Sequence, residues 1–166
     1  FGFQRTADQV WAAADSRARG FLMGATAGRT TLNGEGLQHQ DGHSLLIAST
    51  VPGCRAWDPA YAYELATIIR HGIDEMWGKN MDVFHYIMLY NENQQQLVKP
   101  EGVDEGIIRG AYKVQESELH DSPQVRILGS GPILQYAREA ADLLELEHGI
   151  SSEIWSVTSY GELRRD

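Results

Sequence analysis

Gln124-Val125-Arg126-Ile127-Leu128-Gly129-Ser130-Gly131-Pro132 reads as a short strand that runs into a tight glycine turn. Pro132 sits where a helix can begin, because its missing N–H and fixed φ suit the first helical turn. Residues 133–148 then follow a helical apolar pattern, and Glu153-Ile154-Trp155-Ser156-Val157-Thr158 returns to a strand-like run. Strand, turn, helix and strand make a βαβ unit, with parallel strands and a right-handed crossover.

Upstream, the same alternation recurs. Residues 8–19 carry Val10, Trp11, Ala14 and Ala18 roughly on one face and read as a helix stopped by Gly20. Phe21-Leu22-Met23-Gly24-Ala25-Thr26 suits a buried strand. Residues 44–49 form a short helix candidate, and Cys54-Arg55-Ala56-Trp57 a short strand that ends at Asp58-Pro59. Residues 60–77 make the clearest helix, with Leu65, Ile68, Ile69, Ile73 and Met76 at helical spacing and Gly78 as its stop. Residues 83–90 are rich in β-branched and aromatic side chains and read as a buried strand. Residues 91–100 form a Gln-rich loop, 103–110 a short helix and 112–122 a mixed-charge connector. The alternation predicts an α/β fold with a mostly parallel sheet. Trp11, Trp57, Trp77 and Phe84 are expected in the core.

Composition narrows the function classes. The 166 residues include 14 Lys and Arg against 23 Asp and Glu, a formal net charge of −9. That balance argues against a nucleic-acid backbone as the main partner. An apolar fraction of 42% is enough to build a core. No apolar run approaches the ~20 residues that span a bilayer, so no membrane partner is expected. Cys54 is the only cysteine, which rules out an internal disulfide and fits a reducing, cytoplasmic compartment. Phe1-Gly2-Phe3 and Arg164-Arg165-Asp166 do not read as natural termini. The chain is therefore expected to be a piece of a longer polypeptide.

Chemistry concentrates in residues 27–42, a polar, glycine-rich stretch. Glu35, His39, Asp41 and His43 fall close together among Gly34, Gly36 and Gly42. Glycines let backbone approach a ligand, and histidine trades protons near neutral pH. Three readings compete. The histidines are solvated or packed; or His39 and His43 hold a metal with an acidic neighbour; or His39 transfers protons or binds substrate in an active-site loop. Spacing i, i+4 brings two ligands together on a helix, and Gly42 between them speaks against one. Gly129-Ser130-Gly131 has the look of a phosphate-binding turn, but the third glycine of a dinucleotide fingerprint is missing, so it serves better as a turn. His71 and His85 lie on apolar elements and read as structural. Cys54 reads as a small buried apolar residue.

Several stretches together are similar to one family. Phe1-Gly2-Phe3-Gln4-Arg5, Gly28-Arg29-Thr30-Thr31-Leu32-Asn33-Gly34-Glu35-Gly36-Leu37-Gln38-His39 and Asp41-Gly42-His43-Ser44 resemble the homodimeric bacterial pyruvate dehydrogenase E1 family. Asp58-Pro59-Ala60-Tyr61-Ala62-Tyr63-Glu64, Tyr90-Asn91-Glu92-Asn93, Leu128-Gly129-Ser130-Gly131 and Ser156-Val157-Thr158-Ser159 agree with it. The resemblance covers essentially the whole chain. It implies residues 1–100 as the later part of a thiamine-diphosphate-binding, pyrimidine-type domain, 101–122 as a connector, and 123–166 as the start of a transketolase C-terminal-like α/β domain.

The same resemblance implies site residues. His39 matches the histidine that faces the reactive carbon of the cofactor and the substrate. Glu35 matches, more weakly, an acidic residue of the related transketolase loop. Phe1 matches the aromatic residue stacked on the aminopyrimidine ring, and a flat aromatic face suits such a ring. The implied cofactors are thiamine diphosphate and Mg²⁺, with the diphosphate and metal ligands outside this chain. The implied partners are the remaining segments of the polypeptide, a second E1 subunit, the E2 dihydrolipoyl acetyltransferase and pyruvate. The family's catalytic glutamate is absent from this sequence, so the chain alone is expected to be inactive. The alternatives are another transketolase-group enzyme and a non-catalytic α/β assembly module, with residues 60–77 as its interface helix.

Overall fold

The computed structural model describes residues 3–24, 43–117, 119 and 123–165. Within them, six strands form two three-stranded sheets. The first sheet contains β1 (Phe21–Gly24), β2 (Cys54–Trp57) and β3 (Phe84–Met88), in the order β1-β3-β2 and wholly parallel. The second contains β4 (Ala111–Glu116), β5 (Val125–Gly129) and β6 (Ser152–Val157), in the order β4-β6-β5. There β5 runs parallel to β6 and β4 runs antiparallel to it.

Strand β3 shows why the first sheet sits in the interior. Phe84, Tyr86 and Met88 point to one face and pack with Phe3, Val10, Ala48, Val51 and Cys54. That face is covered by α1 (Ala7–Asp15) and α2 (Ser44–Ala48). Ile87, from the alternate positions, packs on the other face with Trp57, Ile68 and Ile107. That face is covered by α3 (Ala62–Ile73) and α4 (Asp104–Arg109). A strand buried on both faces is what a parallel sheet with helices on each side requires. On the second sheet, α5 (Ile133–His148) buries Leu134 and Ala141 against Ile154, and Tyr61 beside α3 joins the same cluster. The two sheets therefore share α3 between them.

The expected α/β alternation is present, with four departures. The stretch read as a mixed-charge connector begins as β4. This edge strand buries only Tyr112, and its register on β6 shifts between Lys113 and Gln115. The second sheet is therefore mixed rather than parallel throughout. A sixth helix, α6 (Tyr160–Arg165), follows β6 directly. The long helix of residues 60–77 continues past α3 as a π-helical turn, Asp74–Gly78, which turns Glu75 and Met76 inward. Trp77 on that turn is 56% exposed and Trp11 on α1 is 46% exposed, so neither belongs to the core; Trp57 and Phe84 do. Among the described residues, no helix is long and apolar enough to cross a membrane.

Candidate functional site

Phe1, Glu35 and His39 lie outside the described residues. The residues that flank them are described: Phe3, Gly24 at the end of β1, and His43 at the start of α2. These flanks converge at the carboxyl end of the first sheet. Phe3 donates its backbone N–H to the Ser44 hydroxyl, 3.0 Å away and buried. Its ring stands edge-on to Tyr86 of β3, with centroids 5.2 Å apart and planes at 82°. A Cβ on Gly24 would overlap the Tyr86 phenol oxygen, so only glycine allows this approach. Ligands of open parallel sheets bind at the carboxyl ends of strands, where loops leave the scaffold.

A cavity of about 450 Å³ opens beside this corner. His43, Ser44 and Leu45 line one side, Asp58 the end of β2, and Thr158, Tyr160 and Arg164 the side of the second unit. Asp58 joins the two units. Its N–H donates to the Thr158 carbonyl at 2.8 Å, and its carbonyl accepts from the Gly131 N–H at 3.1 Å. Its carboxylate accepts the Tyr90 hydroxyl. Gly131 has φ +51°, and a Cβ there would lie 2.5 Å from Asp58 Oδ1. The Gly129-Ser130-Gly131 turn is thus held by the Asp58 backbone carbonyl, with the Asp58 carboxylate packed against Gly131, in keeping with a structural turn rather than a phosphate cradle. Thr158 and Ser159 complete the seam, donating their hydroxyls to the Ile107 carbonyl at 2.7 Å and the Ala56 carbonyl at 2.6 Å.

Two buried glutamates flank the seam. Glu64 reaches back at the third position of α3 to the Tyr61 N–H at 3.1 Å, as in one half of a capping box. Its other oxygen accepts the hydroxyls of Tyr112 at 2.6 Å and Ser156 at 2.7 Å. Burial pushes its carboxyl above the usual range in spite of those donors. Glu75 meets a guanidinium and two imidazoles instead. Its carboxylate lies 3.1 Å from Arg55, 3.2 Å from His71 and 3.4 Å from His85. Burial opposes its charge, but the two imidazoles and the guanidinium hold its carboxyl well below the usual range. Trp57 donates its indole N–H to His85 Nδ1 at 2.9 Å, which leaves the His85 proton on Nε2, facing Glu75.

His71 and His85 therefore have structural partners, as the sequence suggested. Cys54 is buried, and burial pushes its thiol up to about 12, which fits an inert apolar role. Among the described residues, no three His, Cys, Asp or Glu side chains gather to hold a metal ion. The seam residues Asp58, Glu64 and Ser156 were not found by sequence reasoning as partners. The one signal they carried was their place in the stretches quoted for the family resemblance.

The comparisons agree with this architecture. Residues 1–97 match the family model of the pyruvate dehydrogenase E1 component middle domain. Residues 110–166 match the transketolase-like C-terminal domain. The chain is 57% identical over 166 residues to the pyruvate dehydrogenase E1 component of Pseudomonas aeruginosa, covering 100% of this chain and 19% of that protein. It is 52% identical over 168 residues to that of Mycobacterium tuberculosis, covering 100% of this chain and 18% of that protein. The chain thus spans about a fifth of the length of these relatives. Among solved structures, it superposes on a Pichia stipitis transketolase bound to sedoheptulose 7-phosphate. The TM-score is 0.78 at 22% identity, over 98% of this chain and 22% of that one, a likeness of fold. A split-gene transketolase, an inactive β4 tetramer, superposes with TM-score 0.64 at 19% identity, over 93% of this chain and 46% of that one. With more than half of its residues matched by the middle-domain model and about half identical to these relatives, the chain belongs to the pyruvate dehydrogenase E1 component family.

Proposed function

We propose that the chain is a part of a thiamine-diphosphate-dependent enzyme that decarboxylates pyruvate and passes the acetyl group to the lipoyl group of an E2 dihydrolipoyl acetyltransferase. The carrying observation is identity of about half over the whole chain to proteins named pyruvate dehydrogenase E1 component. In this reading, residues 1–100 belong to the pyrimidine-binding domain, 101–122 connect, and 123–166 open the C-terminal domain. The rest of the polypeptide and a second E1 subunit complete the site, in the cytoplasm.

Phe3, Tyr86 and Met88 are buried in an aromatic and apolar core, so they support the site from behind rather than touch a ligand. In this reading the ligands of the diphosphate and Mg²⁺ belong to segments outside this chain. When bound, thiamine diphosphate supplies the electron sink for decarboxylation. Phe1 would hold the pyrimidine ring by stacking. His39 would donate a hydrogen bond to the bound 2-oxo acid and move protons as the acetyl group leaves for the lipoyl arm. Glu35 would stand on the substrate side, near His39. The chain by itself would be inactive.

His39→Ala in the full-length, assembled enzyme tests the reading. Acetyl transfer to lipoyl groups is expected to fall far more than cofactor affinity, both followed by stopped-flow and titration. Transfer at the unsubstituted rate overturns it.

A further inference from the structure

Ser44 is 1% exposed at the first position of α2, and its hydroxyl holds the backbone of Phe3, a residue far away in sequence. Phe3 is buried as well, so its N–H depends on protein partners rather than water. Behind this pair, the Tyr86 ring packs edge-on against Phe3 and fills the space above Gly24. Three separate points of the chain are thereby fixed around one buried side chain on a central strand. In sequence, Phe3 follows Phe1 by two residues, Gly24 precedes residues 25–42, and Ser44 follows His39 by five.

We infer that Ser44, backed by Tyr86, is a positioning residue for the thiamine-diphosphate site. It fixes the spacing between the segment that carries Phe1 and the segment that carries His39. The inference rests on the functional reading above, in which those two residues act on one cofactor. Their usefulness then depends on mutual geometry, and misplacement by about 1 Å can cost as much as about 100-fold in rate. A buried hydroxyl-to-backbone bond between elements at the two segment ends is a direct way to hold that geometry. Ser44 touches neither substrate nor cofactor in this account; it acts through Phe3.

The test uses full-length, dimeric enzyme carrying S44A, S44T or H39A. S44A is expected to lower kcat by about tenfold and to weaken thiamine diphosphate binding several-fold. Binding is read by tryptophan fluorescence titration, independently of turnover. S44T keeps the hydroxyl and is expected to recover most of both losses. Exchange of the Phe3 amide with deuterium is expected to quicken in S44A and not in S44T. A merely structural Ser44 would lower the thermal midpoint and leave kcat and cofactor affinity of the folded dimer unchanged, and that result overturns the inference. S44T no better than S44A also overturns it. H39A separates the two levels: full acetyl transfer in H39A defeats the functional reading, whereas impaired H39A beside unaffected S44A defeats only the positioning role.

Discussion

Glu64 and Glu75 lie on one helical run, both nearly out of solvent, and the fold treats them in opposite ways. Glu64, at the start of α3, is met by two hydroxyls and two backbone N–H groups. Glu75, past its end, is met by a guanidinium and two imidazoles. The first carboxyl is shifted up and the second down. The hydroxyl and backbone donors do not offset the desolvation of Glu64, whereas at Glu75 the imidazole hydrogen bonds together with the Arg55 charge do. The positions differ in purpose as well. Glu64 ties α3 to β4 and β6 of the second sheet through Tyr112 and Ser156. Glu75 ties the π-helical turn to the first sheet through Arg55 and His85, and Arg55 reaches on to Glu162 of α6 at 2.9 Å.

The largest effect is expected from breaking the charged end. Glu75→Ala leaves Arg55 and the two histidines without their shared carboxylate, and should cost about 3–5 kcal/mol in urea unfolding. The pH dependence has a definite sign. Because the folded pKa is depressed, the stability from ionised Glu75 is fully present above the unfolded value of 4.5 and is lost as pH falls below it. The deficit of Glu75→Gln against the unsubstituted chain should therefore be widest near pH 7 and narrow below pH 4.5. A deficit constant across that range would remove Glu75 from the acid response.

Glu64→Gln should be milder, about 1–3 kcal/mol, since the amide oxygen still accepts but its NH₂ faces donors. Here the sign reverses. A folded pKa raised by burial means that the neutral carboxyl fits best, with stability present below pH 4.5 and lost as pH rises through the folded value. The deficit of Glu64→Gln should thus be larger at pH 4 than at pH 7. Melts that give both glutamine variants the same pH trend would erase the contrast between the two ends.

Local signals were enough for some elements and not for others. Helix α5 occupies residues 133–148 as the sequence indicates, since Pro132 and Gly149 bracket an unbroken apolar period. Strand β3 was legible because its run is aromatic and aliphatic on both faces, interrupted only by His85. Strand β4 was not. It is an edge strand, mostly polar, held by pairing with β6 some forty residues later. Trp11 and Trp77 sit at core-like positions of their helices, yet no described segment covers them. The candidate site divides in the same way. Phe1, Glu35 and His39 were proposed from contiguous motifs, and they fall outside the described residues. The seam of Asp58, Glu64 and Ser156 could not be read from any window, because Glu64 and Ser156 lie 92 residues apart. Only tertiary packing makes them neighbours.

The finest probe of the contrast is a single donor. Ser156→Ala removes one hydroxyl from Glu64, leaving the Tyr112 hydroxyl and the two backbone N–H groups in place. The change is small, about 1 kcal/mol, because the remaining donors still serve the carboxylate and alanine fills nearly the same space. Its pH dependence carries the information. The Ser156 hydroxyl favours the ionised form, so its loss should raise the folded pKa of Glu64 further. The penalty should then be modest at pH 4, where the carboxyl is neutral in both proteins, and grow toward pH 7. Carbonyl-region infrared difference spectra should show the protonated Glu64 band persisting to higher pH in the variant. A band that titrates at the same pH in both proteins would mean that burial alone sets this carboxyl. The neutral donors would then contribute to docking the second sheet and nothing to the charge of Glu64.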